Sequence, residues 1–167
     1  MEQKYFQDIK ALRASIPANK TITLVGGCFD LFHVGHLKLL EYASQQEDVL
    51  VVAVLSDKKV QAYKGIDRPI IPQHYRAQMV AACKNVTQVF ITDVSPTQHE
   101  TLSVLNPDSI VFGIEDDAKW MKLTTQKVPY LKNNFPHIKI HLHERFHDTS
   151  ISTSGLIQKI LRSRLRM

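Results

Sequence analysis

From Val49 to Ser56 the chain reads VLVVAVLS, eight residues without a charged side chain. A strand with one face in water alternates apolar and polar residues. An unbroken run instead predicts a strand buried on both faces, as in a parallel sheet covered by helices above and below. Four other segments predict further strands. TITLV (21–25), VTQVFIT (86–92) and DSIVFG (108–113) are rich in β-branched residues, and HIKIHLH (137–143) alternates as a strand with one wetter face does.

Helical periodicity fills most of the gaps. LFHVGHLKLLEYAS places Leu37, Leu39, Leu40 and Tyr42 for packing on a sheet, and QHYRAQMVAACK follows Pro72, which suits a first helical turn. In SPTQHETLSVL, Ser95 is the expected N-cap and Pro96 the first helical residue. TQKVPYLKNN reads as partly helical. A last helix begins at Ser152 or Thr153, with Leu156, Ile157, Ile160, Leu161 and Leu165 on one face. DKKVQAYKGIDRP, after the apolar run, reads as a polar loop bearing lysines.

Strands alternating with helices predict a Rossmann-like, doubly wound α/β fold. The sheet is mainly parallel and five-stranded, with helices on both faces, and this domain covers 21–167. Residues 1–20, with Tyr5, Phe6, Ile9 and Leu12 at near-helical spacing before a break at Pro17 and Asn19, predict an N-terminal helical extension. The length of 167 residues and 44% hydrophobic content suit one core, and no internal repeat or low-complexity segment interrupts it. Cys28 and Cys83 form neither a disulfide framework nor a CxxC pair, and residues 1–20 lack a signal-peptide-like run, so the expected compartment is the reducing cytoplasm. A net charge of +5 favours anionic ligands, among which charge alone does not choose. The basic segment KILRSRLRM, with Lys159, Arg162, Arg164 and Arg166, reads as a solvated helix face or a phosphate-binding tail. No membrane or nucleic-acid partner is expected.

The candidate site is GGCFDLFHVGH, residues 26–36. In an open α/β sheet ligands bind at the carboxyl ends of the strands, and Gly26 and Gly27 lie at such an end. They would let backbone approach a phosphate, and the helix that follows presents unpaired N–H groups. His33 and His36, three apart, would turn toward the same ligand, with Gly35 between them leaving room. A pair of satisfied surface histidines is the plain alternative. A metal site is not expected, because only Asp30 stands near enough in sequence to join the two histidines. Ile151, Ser152, Thr153 and Ser154 offer hydroxyls and free N–H groups at a helix start, either as an anion site or as an ordinary cap.

GCFDLFHVGH resembles the N-terminal signature of the cytidylyltransferase-like nucleotidyltransferases, G-x-F-D followed by H-x-G-H. KGIDRPIIPQHYRAQMV is similar to that family's lysine loop, proline and arginine-bearing helix, and ISTSGLIQKI to its closing I-S-T-T or I-S-S-S helix start. The resemblance runs through most of residues 21–161. Class I aminoacyl-tRNA synthetases share a comparable histidine pair, but their K-M-S-K-S loop does not occur here.

The resemblance implies an enzyme that joins a nucleoside triphosphate to a phosphorylated small molecule. The acceptor phosphate attacks the α-phosphorus in line and pyrophosphate leaves. It implies that His33 and His36 donate to phosphate oxygens and that the backbone around Gly27, Cys28 and Phe29 cradles the nucleotide. Residues 151–154 would hold the β- and γ-phosphates. Lys64, with Lys58 and Lys59 as lesser candidates, would reach the acceptor or triphosphate, the alternative being an exposed loop lysine. Arg76 would reach the phosphates or the acceptor, or else form a structural ion pair. Asp30 would orient Mg²⁺ or a histidine, or merely satisfy turn N–H groups. Mg²⁺ would arrive with the triphosphate, and the family implies a homodimer.

Two departures bear on the acceptor. Family members that handle glycerol phosphate carry R-T-x-G before I-S-T-T, whereas this chain has RFHDTS, with Arg145 two positions early and His147 in the arginine's place. Heptose-phosphate adenylyltransferases share the cysteine of G-C-F-D, a DRPIIP-like segment and the pattern of SPTQHETLSVLNPD, yet continue with K-G-G-D-Y where FGIEDDAKW stands here. Phe112 takes that lysine's place. The acceptor or base pocket is therefore expected near Gly113, Glu115, Asp116, Trp120 and His147. Archaeal-type FAD synthetases also share RPIIP. A sugar or polyol phosphate with CTP or ATP is the expected substrate pair, with FMN as another acceptor and a non-catalytic nucleotide- or nucleic-acid-binding module as the remaining alternative. His137, His141 and His143 are expected as exposed edge residues.

Overall fold

A computed structural model describes residues 5–6, 8–114, 117–144 and 151–164. Among the described residues six strands form one sheet: β1 (Tyr5–Phe6), β2 (Ile22–Gly27), β3 (Val49–Leu55), β4 (Gln88–Thr92), β5 (Ser109–Ile114) and β6 (Lys139–Glu144). Their order is β1-β4-β3-β2-β5-β6, and every pairing is parallel. The five expected strands are all present. The sixth, β1, is only two residues long, too short to show a period in the sequence.

The double winding is visible in which residues alternate strand positions send to each face. Leu24, Val51, Ala53 and Ile110 pack with Leu12 of α1 (Ile9–Ser15), Leu102 and Leu105 of α5 (His99–Leu105) and Leu131 of α7 (Val128–Asn134). Val25, Val52, Val54 and Val111 pack on the other side with Leu40 and Ala43 of α2 (Val34–Ala43) and with Ala77 and Val80 of α4 (Gln73–Ala81). All seven residues of β3 are buried, which is why its sequence lacks alternation. Each of the Val, Leu and Ile side chains contributes roughly 1.5–3 kcal/mol by leaving water. Residues 1–20 also feed this core, through Leu12 and Ile16.

Several local expectations change. Residues 57–64 form a helix, α3 (Asp57–Lys64), rather than a loop: Ser56 Oγ accepts from Lys59 N–H at 3.1 Å, Val60 is buried, and Gly65 at φ 94° ends it. α5 begins at His99 with Gln98 before it, not at Pro96 after a Ser95 cap. Ser95 Oγ lies 3.1 Å from Thr97 Oγ1 instead, and Pro96 packs against Gly26. Pro72 is the residue before α4 rather than inside its first turn. The stretch between β5 and β6 is helical from α6 (Asp117–Lys122) through a π-turn (Leu123–Lys127) into α7.

On β6, His141 and His143 are half-buried rather than exposed. His143 stacks on Tyr42 at 4.6 Å, and burial holds its imidazolium form below the usual histidine range. His141 Nε2 lies 3.3 Å from Ser109 Oγ. The last helix, α8 (Thr153–Arg164), half-buries Leu156 and Ile157 but leaves Ile160 and Leu161 exposed, against the expectation of one inward apolar face. Leu165 and Arg166 lie outside the described residues, as do Glu115, Asp116, Arg145 and His147. Among the described residues no helix is long and apolar enough to cross a membrane.

β2 has β3 on one side and β5 on the other. The chain moves first to β3 and its neighbours and only later returns to β5. The carboxyl ends of β2 and β5 therefore flank the crevice where winding reverses, the usual ligand site of such sheets.

Candidate functional site

A cavity of about 670 Å³ occupies this crevice. Gly26, Gly27, Cys28, Phe29, Asp30, His33 and His36 line one part of it. The turn that carries them is bent by two non-glycine residues in the left-handed region, Phe29 at φ 54° and Leu31 at φ 45°. Each costs on the order of 1–2 kcal/mol, so neighbouring contacts must hold them. Phe29 is 1% exposed and Asp30, between them, is also buried.

Asp30 is the clamp. Its carboxylate accepts from Arg68 Nη2 at 2.8 Å, from Arg68 Nε at 3.1 Å and from the N–H groups of Ile70 and Ile71 at 3.0 Å. Burial alone would raise its pKa, but the two N–H groups and the guanidinium together hold it below the usual aspartate value. Its main-chain carbonyl accepts from Thr153 Oγ1 at 2.7 Å. The N–H groups it satisfies belong to Ile70 and Ile71, beyond α3 (Asp57–Lys64), rather than to its own turn.

The histidines close the first turn of α2 reciprocally. His33 Nδ1 accepts from Gly35 N–H at 3.1 Å, and His36 Nδ1 accepts from His33 N–H at 3.3 Å. The rings stack with centroids 3.9 Å apart. An imidazole that accepts at Nδ1 carries its proton on Nε2 when neutral, so both rings are set as Nε2–H donors at the positive end of a helix dipole.

The glycines serve this packing. A Cβ on Gly35 would lie 3.0 Å from His33 Cε1, one on Gly27 2.9 Å from Phe29 Cε2, and one on Gly26 2.4 Å from Pro96 Cγ. Their missing side chains make room for protein atoms, while Gly26 and Gly27 themselves line the cavity. Gly113, also at the cavity, faces Leu39 at 3.2 Å in the same sense.

Ser152, Thr153 and Ser154 line the cavity at the start of α8. Ser152 is a true cap, its Oγ accepting from Gly155 N–H at 2.9 Å, while Thr153 docks on Asp30 as described. Ile151, beside them, is half-buried. Lys64 lines the cavity, as does Lys59, one of its two lesser companions.

Of the expected residues that are described, Gly35, Lys58, Arg76, Trp120 and Ile151 do not line the cavity. Arg76 is fully buried and does not line the cavity. Its Nε donates to Ile71 C=O at 2.8 Å and its Nη2 to Leu55 C=O and Asp57 Oδ1, each at 2.8 Å, while its Nη1 donates to Cys28 C=O. Such a guanidinium supports the loop from behind rather than touching a ligand. Trp120 is exposed on α6, off the cavity wall. Cys28 lines the cavity, and burial pushes its thiol above the ordinary value against the pull of Lys64 and Arg76.

Sequence reasoning passed over Lys122 and Lys127, which line the cavity from the helical stretch after β5. Their spacing of five matches no α-helical face. Among the described residues no group of three His, Cys, Asp or Glu side chains could hold a metal ion.

A family model described as cytidylyltransferase-like matches residues 24–159. A protein named bifunctional protein HldE from a Nitratiruptor species is 39% identical over 111 residues, which cover 66% of this chain and 24% of that protein. The chain thus spans about a quarter of the length of this relative. An FAD synthase from Thermococcus sibiricus is 34% identical over 142 residues, 85% of this chain and 93% of that one. Among solved structures, pantoate-beta-alanine ligase from Francisella tularensis superposes with a TM-score of 0.61 at 16% identity, over 96% of this chain and 80% of its own. A lipopolysaccharide core biosynthesis protein from Thermoplasma volcanium gives a TM-score of 0.55 at 21% identity, over 77% and 98%. At such identities these two likenesses speak for the fold alone.

Proposed function

Because the chain belongs to the cytidylyltransferase-like family, we propose that it transfers a nucleoside monophosphate from a nucleoside triphosphate to a phosphorylated small molecule. An oxygen of the acceptor phosphate forms a bond to the α-phosphorus. The bond from that phosphorus to the oxygen bridging the β-phosphate breaks, and pyrophosphate leaves with the electron pair. No side chain is needed as a nucleophile.

The carrying observation is the stacked pair His33 and His36, set as Nε2–H donors on the wall of the cavity that the start of α8 also lines. Charge builds up on the α-phosphate oxygens and on the departing pyrophosphate. Fixed donors and helix N-termini stabilise it without having to reorganise, and one such donor is typically worth about 100- to 1,000-fold in turnover. Mg²⁺ belongs to this reading as part of the substrate, bound to the triphosphate. The described residues offer it no cage, and Asp30, the one carboxylate among them that lines the cavity, is engaged by Arg68.

We read CTP or ATP as the donor and a sugar or polyol phosphate as the acceptor, and a cavity of about 670 Å³ is of the size usual for small-molecule sites. The FAD synthase likeness extends over nearly that protein's whole length, which favours FMN with ATP as a second reading. Pyrophosphate release in the presence of Mg²⁺ tests both. CTP, ATP, GTP and UTP are each crossed with glycerol 3-phosphate, heptose 1-phosphate, other sugar phosphates, phosphocholine, phosphoethanolamine and FMN. One productive pair is expected. Absence of pyrophosphate from every pair, with nucleotide bound, would leave a binding module instead.

A further inference from the structure

The cavity has cationic walls on two sides. Lys59 and Lys64 come from α3, which follows β3, whereas Lys122 and Lys127 come from the stretch that follows β5. Since β3 and β5 are the two neighbours of β2, the pairs reach the cavity from opposite sides of the strand that ends in the histidine loop.

The second pair depends on an irregularity. Five residues of a regular α-helix, at 100° each, would turn Lys122 and Lys127 about 140° apart. Here Val128 N–H bonds to Leu123 C=O, an i to i+5 closure. That wider turn brings side chains five apart back toward one face, and single π-turns within helices are frequent at functional sites. Leu123, 2% exposed, anchors the turn in the protein. Lys127 Nζ stands 5.7 Å from the centre of the Phe112 ring, at the end of β5 where Gly113 also borders the cavity.

The two walls are not equivalent. Asp30 grips Arg68, Ile70 and Ile71, which follow Lys64, and its carbonyl receives Thr153. The segment that follows Lys64 and the hydroxyl-rich start of α8 thus meet at Asp30, and Lys64 lines the cavity together with Ser152, Thr153 and Ser154, a set of donors that suits the β- and γ-phosphates. In-line displacement puts the attacking group on the side of the α-phosphorus opposite the leaving pyrophosphate.

Resting on the nucleotidyl-transfer reading, we infer that Lys122 and Lys127 form the subsite for the acceptor's phosphate monoester. They hold its non-attacking oxygens, while the remaining oxygen forms the new bond to the α-phosphorus and pyrophosphate departs toward Lys64. The ligand class is a phosphate dianion, and the π-turn is the device that aligns its two cations.

The test needs no knowledge of the natural acceptor. The full chain is saturated with an α,β-methylene analogue of ATP or CTP and titrated with inorganic phosphate, followed by NMR at the amides of Phe112, Gly113 and Lys127. In K122Q/K127Q, phosphate should bind at least about tenfold more weakly, with analogue affinity kept within about twofold, and K122R/K127R should restore phosphate binding. Unchanged phosphate affinity in the glutamine variant would overturn the inference. So would a loss of analogue affinity instead, which would give these lysines to the triphosphate. The titrations are repeated without analogue. Failure of both analogues to bind would count against nucleotidyl transfer itself, while the phosphate readout at the lysines would still decide this inference.

Discussion

The guanidinium of Arg68 grips the Asp30 carboxylate with two donors, Nη2 at 2.8 Å and Nε at 3.1 Å, and Asp30 is itself only 1% exposed. This pair ties the segment after α3 to the turn before α2. Removing one partner of a buried pair strands the other, at a cost of about 3 kcal/mol or more. Asp30→Ala should lose that much stability in urea unfolding; a loss below about 1 kcal/mol would show that the pair is not what holds the turn.

The same carboxylate sets an acid limit. Its folded pKa lies below the ordinary 3.8, so its contribution is complete above that value and is lost as the pH falls through the lowered one. Unfolding free energies measured from about pH 5 down to pH 2.5 should fall more steeply for the native chain than for Asp30→Asn. Parallel curves would dissociate Asp30 from the acid transition.

His36 joins two roles that one substitution can separate. Alanine removes both the acceptor for His33 N–H and the Nε2 donor, and should cost about 1 kcal/mol of stability as a lost cap does. Asparagine can replace the Nδ1 acceptor with its own oxygen but does not reach as far as Nε2. His36→Asn should therefore melt close to the native protein yet turn over at least about 100-fold more slowly. Native-like turnover in either variant would take the ring out of the chemistry.

Arg76 offers its donors to three carbonyls and a carboxylate. Arg76→Lys cannot reproduce a planar fork and should lose about 3 kcal/mol in chemical denaturation, leaving Asp57 and several carbonyls short of partners. A variant of native stability with abolished turnover would instead place this side chain on the substrate.

Gly26 and Pro96 should be energetically coupled. Gly26→Ala alone drives a methyl to within 2.4 Å of Pro96 Cγ, an overpacking worth about 1–3 kcal/mol. Pro96→Gly opens the space, so the double variant should recover part of the loss, with a coupling energy of about 1 kcal/mol from a double-mutant cycle. Strict additivity would mean that the backbone moves aside without help.

The strands and the histidine loop were legible because their signals are local: β-branched runs, a glycine pair, two histidines three apart. α3 was missed although Ser56 before Asp57 is a fair cap signature, because Val60 is its single buried residue and leaves no periodicity. Ser95 and Pro96 carried the opposite lesson, a good local helix start put to other use by contact with Gly26, which lies 70 residues back. Arg76 looked like a ligand contact since nothing in its neighbourhood announces that Cys28 and Leu55 will present carbonyls to it. Lys122 and Lys127 share a face only through the wider turn between them, which no α or β period encodes.

The hydrogen bond from Thr153 to the Asp30 carbonyl joins residues 123 positions apart. During synthesis, therefore, the histidine loop is made early and waits. All six strands can pair before residue 153 has emerged, yet the wall formed by Ser152, Thr153 and Ser154 is still missing. A nascent chain can thus complete its sheet before the cavity wall at the start of α8 is in place.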